Sequence, residues 1–131
     1  MSNIPDSHAD LLGGKLFGHL ATVSAEGVPQ VTPVWFRIVD GRLEVNSAKG
    51  RLKDRNMRAN PHVALSVLDP QNSYRYLELR GKVVEITEDG AEQMIDELAH
   101  HYMGVDRYPF RQPGEQRVKY VIDITRCTSM G

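Results

Sequence analysis

Cysteine is nearly absent: Cys127 is the only one in 131 residues. A disulfide framework within the chain is therefore excluded, and a reducing, cytoplasmic setting is the expectation. Long apolar runs are missing too. None approaches the ~18 residues of a membrane span, and the N-terminus has no basic-then-apolar leader pattern. Excess charge of one sign is also missing: the formal net charge is −1. That argues against nucleic acid as a partner held by the whole surface, and confines any anion binding to a local site. The five histidines, His8, His19, His62, His100 and His101, have no zinc-ligand spacing, so no metal site is expected. Gly-x-Ser-x-Gly, His-Glu-x-x-His and phosphate-loop motifs are absent, and Ser66 and Cys127 have no evident base. No catalytic side chain can be assigned. Without a repeat, a low-complexity tract or a linker, residues 1–131 form a single expected domain.

The chain does contain strand patterns broken by strong turn signals. Met1 to Asp6 reads as a loose tail. Asp6 or Ser7 is positioned to cap a short helix through Leu11, Leu12 and Leu16. Strands are expected at Gly18–Val23, at Val28–Val39 as one long extended segment, and at Arg42–Val45 after an Asp40-Gly41 hairpin turn. Pro29 and Pro33 imply an edge, a bulge or a break in the long segment. Further strands follow at His62–Asp69, Tyr74–Glu88 and Arg117–Cys127, with a bulge or sharp bend at Gly81. One good helix runs from Ala91 to about Tyr102, with Thr87 or Glu88-Asp89 placed to cap it. Six strands with two or three short helices favour a mainly β fold, an antiparallel barrel that hides its sheet edges.

The most informative stretch is Val45 to Met57. A strand end turns through Asn46-Ser47-Ala48-Lys49-Gly50 into a helix whose start carries Arg51, Lys53 and Arg55. A helix N-terminus is the positive end of the macrodipole, so each cation there is disfavoured by roughly 0.3–1 kcal/mol. A bound phosphate reverses that sign, because free N–H groups and basic side chains then converge on it. The stretch is thus either a phosphate grip or an ordinary solvated basic helix. For a grip, geometry imposes a condition. Arg51 and Lys53 would diverge by about 200° on a regular helix. Both reach one phosphate only if the helix begins near Leu52 and Arg51 lies before it.

Tyr74-Arg75-Tyr76 opens a strand with both tyrosines on one face, suited to a flat ring or to a barrel-core or dimer contact. Trp35 follows a proline-interrupted strand whose unpaired backbone groups suit a planar heterocycle; a packed interface aromatic is the competing reading.

Several motifs occur in a telling order: Leu20-Ala21-Thr22-Val23; Gly27-Val28-Pro29-Gln30-Val31-Thr32-Pro33-Val34-Trp35-Phe36; Val45-Asn46-Ser47; Gly50-Arg51-Leu52-Lys53-Asp54-Arg55-Asn56; Asn60-Pro61; and Tyr76-Leu77-Glu78-Leu79-Arg80-Gly81. Together they resemble the pyridoxamine-phosphate-oxidase-like split-barrel superfamily. Within it, the chain is similar to the small actinobacterial reductases that use the deazaflavin coenzyme F-420. The resemblance covers roughly Leu12 to Arg126. It implies an FMN-binding-type split barrel, and a homodimer with cofactor sites between subunits. It assigns the cofactor phosphate to Arg51 and Lys53, with Arg55 helping to hold the phosphate or the polyglutamate tail. Asn46, Ser47, Ala48 and Gly50 would line the ribityl chain and ring edge. Pro33, Val34 and Trp35 would lie beside the ring, and Tyr74, Arg75 and Tyr76 would reach the site, from the partner subunit if not from their own. The implied reaction is hydride transfer from reduced cofactor to an activated double bond of a small molecule. FMN is the alternative cofactor, and a non-catalytic flavin- or deazaflavin-binding protein the alternative role. The basic order Gly-Arg-Leu-Lys, in place of Ser-Arg-Lys, tilts the cofactor towards the deazaflavin. The C-terminal substrate-phosphate arginines of pyridoxamine phosphate oxidases are not matched before Gly131, so that activity is not expected.

Overall fold

The computed structural model describes residues 4–131; the tail expected over Met1–Asp6 falls partly outside the described residues. A 3-10 turn at Asp6–His8 and a one-turn helix α1 at Asp10–Gly13 come first, and neither has a side-chain cap. The expected single helix capped by Asp6 or Ser7 is thus replaced by two short turns. Strands follow at Gly18–Val23 (β1), Pro29–Val34 (β2), Phe36–Val39 (β3) and Arg42–Ala48 (β4). Helix α2, Leu52–Ala59, leads to β5 at His62–Leu68 and β6 at Tyr76–Thr87. Helix α3, Ala91–Met103, precedes the last strand, β7, at Arg117–Met130.

The strands form one seven-stranded antiparallel sheet in the order β2-β1-β5-β6-β7-β4-β3. Seven replaces the six expected from the sequence, because the segment Val28–Val39 is two strands. β2 pairs with β1, whereas β3 pairs with β4 at the opposite edge. Only Trp35 separates them. Two residues span at most about 7 Å of extended chain, so both edges of the sheet must come together at Trp35. The sheet therefore curls into a half-barrel. Pro29 and Pro33 sit on β2, whose only partner is β1, where a missing N–H costs no ladder bond on the open side.

The interior is packed by alternating residues of the central strands. Leu20, Leu65, Leu77, Leu79, Tyr120 and Ile122 are all fully buried. The Asp40-Gly41 hairpin forms as expected, with both residues at positive φ (52° and 77°). The bulge expected at Gly81 is present as well: the β6–β7 register shifts between Arg80 and Gly81. A Cβ at Gly81 would lie 2.5 Å from the Asp123 carbonyl oxygen and 2.5 Å from Ile122 Cγ2. The carbonyl belongs to a paired strand and cannot retreat. Gly81→Ala is therefore expected to cost about 1–3 kcal/mol, read as a drop in Tm of roughly 5–10 °C by calorimetry.

Helix α3 differs from expectation at its start. Its N-cap is Gly90 at φ 75°, with no side-chain cap. Thr87 Oγ1 instead accepts from the Asp89 N–H at 3.0 Å and shapes the preceding turn. Met94, Ile95 and Leu98 of α3 form a small second core with Trp35, Tyr102 and Tyr108. The Tyr102 hydroxyl accepts from the Phe36 N–H at 3.2 Å and donates to the Leu16 carbonyl at 2.9 Å. Its ring stacks on Trp35, centroids 5.2 Å apart. One tyrosine thus pins the point where the sheet edges meet.

Candidate functional site

The turn between β4 and α2 is built by two residues. Gly50 has φ 92°, a conformation that side chains oppose. Asp54, in the first turn of α2, reaches back so that its Oδ2 accepts from the Gly50 N–H at 2.9 Å. Its Oδ1 accepts from the Tyr120 hydroxyl at 2.5 Å and from Arg58 Nε at 3.0 Å. Burial alone would raise the Asp54 pKa, but the Gly50, Tyr120 and Arg58 donors outweigh it and hold it below the ordinary value. Burial pushes the Tyr120 hydroxyl up, and the hydrogen bond to Asp54 raises it further.

The helix then begins at Leu52, with Arg51 as an extended N-cap (φ −65°, ψ 158°). This meets the geometric condition for Arg51 and Lys53 to face one ligand. The N–H groups of Leu52, Lys53 and Asp54 have no intrahelical acceptor, as in any first helical turn.

Arg51 and Lys53 open onto a cleft of about 290 Å³. Pro33, Val34, Trp35 and Asn46 line it as well, so six of the residues expected at a cofactor site come together. The cleft has further walls that the sequence did not reveal: Phe17, Ile95, Leu98, Tyr108, Phe110 and Arg117. Arg117 is the important addition. Only 3% of its side chain is exposed. Its Nε donates to Asn46 Oδ1 at 2.8 Å, while Asn46 Nδ2 donates to the Ala91 carbonyl at 3.0 Å. Its guanidinium also lies 5.1 Å from the centre of the Tyr108 ring. Strand alternation offered one signal for it. Register opposes Ala48 to Arg117 and Asn46 to Lys119, so Arg117 shares a face with Asn46.

Three cations therefore converge. Glu115 answers two of them, accepting from Arg51 at 3.4 Å and from Arg117 at 2.9 Å. Among the described residues, Lys53 has neither a hydrogen-bond nor an ion-pair partner. Desolvation lowers its pKa most, and the charges of Arg51 and Arg117 lower it further. A partly desolvated, unpaired ammonium facing two guanidinium groups is what an anion would relieve.

The remaining expected site residues lie elsewhere. Ser47 points into the barrel with Leu43 and Val45, by alternation along β4, and its buried Oγ has no hydrogen-bond partner among the described residues. Ala48 is buried and its carbonyl accepts from the Arg51 N–H at 3.2 Å, while Gly50 only shapes the turn. Arg55 is exposed on α2, outside the cleft lining. Tyr74, Arg75 and Tyr76 do not line the cleft within the chain. Arg75 is held by Asp10 at 2.5 Å, Asp69 at 3.1 Å and the Ser7 carbonyl at 2.7 Å, tying the N-terminal segment to the β5–β6 loop.

A larger cavity, about 560 Å³, lies between the N-terminal segment, β3 and α3. Its polar groups are already committed. Arg37 is bonded to Glu44 at 2.9 Å and to Glu97 at 2.8 Å, and His101 is bonded to the Gly14 carbonyl at 2.8 Å. Of these two, the smaller cleft holds the unspent charge, that of Lys53. No group of histidine, cysteine or carboxylate side chains suited to a metal is found among the described residues.

Against known proteins, the family model of pyridoxamine 5'-phosphate oxidase matches residues 4–131. The chain belongs to this family. Family membership fits the curled sheet and agrees with the resemblance carried by the ordered motifs. Among solved structures, a protein named F-420 reductase is 38% identical, with a TM-score of 0.84 over 95% of this chain and 98% of the other. An FAD-binding protein of Mesorhizobium loti is 21% identical (TM-score 0.65, covering 94% and 89%). A haem-storage protein of Vibrio cholerae is 16% identical (TM-score 0.70, covering 95% and 93%). The last two share the fold of the family and no more. No curated protein sequence matches the chain. No helix among the described residues is long and apolar enough to cross a membrane.

Proposed function

We propose that this protein is a deazaflavin-dependent reductase that holds coenzyme F-420 in the cleft between β2, β4, α2 and α3. The unpaired Lys53, set between Arg51 and Arg117 at the end of an aromatic-lined cleft, is the observation that carries this reading. A planar ring with an anionic tail fits that chemistry. Pro33, Val34 and Trp35 flank the ring, Lys53 and Arg51 hold the phosphate, and the free N–H groups of α2 add their dipole. The 38% identical F-420 reductase supports the deazaflavin over FMN. Bound there in its reduced form, the coenzyme would supply a hydride to an activated double bond such as that of an enone or an unsaturated lactone, with water supplying the proton. The chain's own part is to exclude water and to stack the acceptor at reacting distance.

The cleft is open on one side, and Phe17, Leu52 and Phe110 at or near it are each about half exposed. Val28 and Val31, just before and within β2, are also exposed. Such apolar surface around a cleft suits a second copy of the chain, with Tyr74 and Tyr76 available to complete the groove from the partner.

The test is turnover. Reduced coenzyme F-420 is mixed with the protein and a panel of cyclic enones and unsaturated lactones, and its reoxidation is followed by absorbance. Acceptor-dependent reoxidation is expected. Tight binding with no acceptor reduced would replace the reductase with a carrier role.

A further inference from the structure

Glu115 stands apart from the other acids of the molecule. Its side chain is 6% exposed, yet it bridges two arginines of the anion site, Arg51 and Arg117. Neither of its contacts is needed to close the β-sheet, since β4 and β7 pair through their own backbones from Ala48–Arg117 onwards. What it does change is charge. Three cations face the cleft, and Glu115 answers two of them. Among the described residues, Lys53 is then the one cation of the cleft left without a partner.

Phosphate ligands differ in the charge they bring. A phosphomonoester, as in FMN, carries about −1.5 to −2 at neutral pH. A phosphodiester, as in coenzyme F-420, carries a single negative charge at its phosphate. One unspent cation matches the second better than the first.

We propose that Glu115 is a specificity-determining residue: by occupying Arg51 and Arg117 it sets the site to accept a singly charged phosphodiester and to disfavour a doubly charged phosphomonoester. This rests on the reading of the cleft as a deazaflavin site. It assigns the choice between the two phosphate classes to an acid that does not itself line the cleft and that acts through the arginines. Replacing Glu115 by an uncharged residue raises the field at the site by one unit, and a dianion gains about twice what a monoanion gains.

The experiment uses two probes with one ring: deazaflavin ribityl phosphate and its methyl ester, which differ by a single charge. Wild type, Glu115→Gln and Glu115→Asp are titrated with each by ligand fluorescence, and Tm is recorded for every variant. The ratio of the two affinities is the readout, because a purely structural loss weakens both ligands alike. Glu115→Gln is expected to move the ratio towards the monoester by about tenfold, and Glu115→Asp to keep the wild-type ratio. Glu115→Ala makes the same charge change where the glutamine variant does not fold. A ratio unchanged by removing the charge, with both ligands still bound, overturns the role of Glu115 and leaves the cofactor site standing. Failure of wild type to bind either probe overturns both.

Discussion

Lys53→Met is expected to weaken binding of coenzyme F-420 by about 10- to 100-fold, the loss typical of one charge-assisted hydrogen bond, while leaving the protein at least as stable as wild type. The two outcomes have one cause. Folding places the Lys53 ammonium in a partly desolvated position facing Arg51 and Arg117, and its pKa falls. A base with a lowered pKa binds its proton more weakly in the folded chain than in the unfolded one. Stability therefore rises with pH between the folded value and the ordinary 10.5. At neutral pH, charged Lys53 is a cost to the fold. Methionine keeps the length of the stem and removes that cost. Thermal melts at pH 7 and at pH 10 check the stability arm. The wild type should gain on the variant as the pH rises. A residue that costs stability and is spent on an anion is the usual signature of a binding site. A simple surface lysine would change neither quantity.

The second large effect is on stability. Asp54→Ala is expected to cost about 3–5 kcal/mol. The carboxylate is almost fully buried, at 1% exposure. Its removal leaves the Gly50 N–H and the buried Tyr120 hydroxyl without their acceptor. The Arg58 contact adds little, since Arg58 is 42% exposed. The pH dependence has a definite sign. The donors around Asp54 hold its folded pKa below the ordinary 3.8. Its contribution is therefore complete above that value and is lost as pH falls through the lower folded one. Melts of wild type from pH 7 to pH 3 should steepen below about pH 4, and the variant should lack that part of the slope. Where Asp54→Ala still folds, its Lys49–Arg51 turn is released, so binding weakens as well.

The residues explain why some of this was legible in the sequence and some was not. That Arg51 and Lys53 face one cleft was legible because their oddity is local: cations at a helix start conflict with the backbone dipole, and a bound anion is one way to resolve the conflict. The hairpin at Asp40-Gly41 and the bulge at Gly81 were legible for a similar reason, since each depends on one residue's backbone freedom. The switch at Trp35 was not. A strand that changes partners keeps its period of two, so nothing in Val28–Val39 marks the place where β2 becomes β3. Arg117 and Glu115 were hidden because their roles come from a partner about seventy residues away, through the pairing of β4 with β7. Tyr108 and Phe110 were hidden in a loop whose course is set by α3: the Tyr108 N–H donates to Asp96 at 2.8 Å, and Arg111 binds Glu92 at 2.9 Å. Ser47 illustrates the converse. It stands next to Asn46 in sequence, and alternation turns it into the barrel, away from the cleft.

The central claim is that the cleft around Lys53 is a deazaflavin site. Titration of the purified protein with coenzyme F-420 and, separately, with FMN, followed by ligand fluorescence, tests it most directly, with Lys53→Met and Arg51→Ala run alongside. Saturable binding of one coenzyme F-420 per chain, tighter than FMN and weakened in both variants, is the result expected. Binding of neither ligand, or coenzyme F-420 binding that is indifferent to both substitutions, would contradict it.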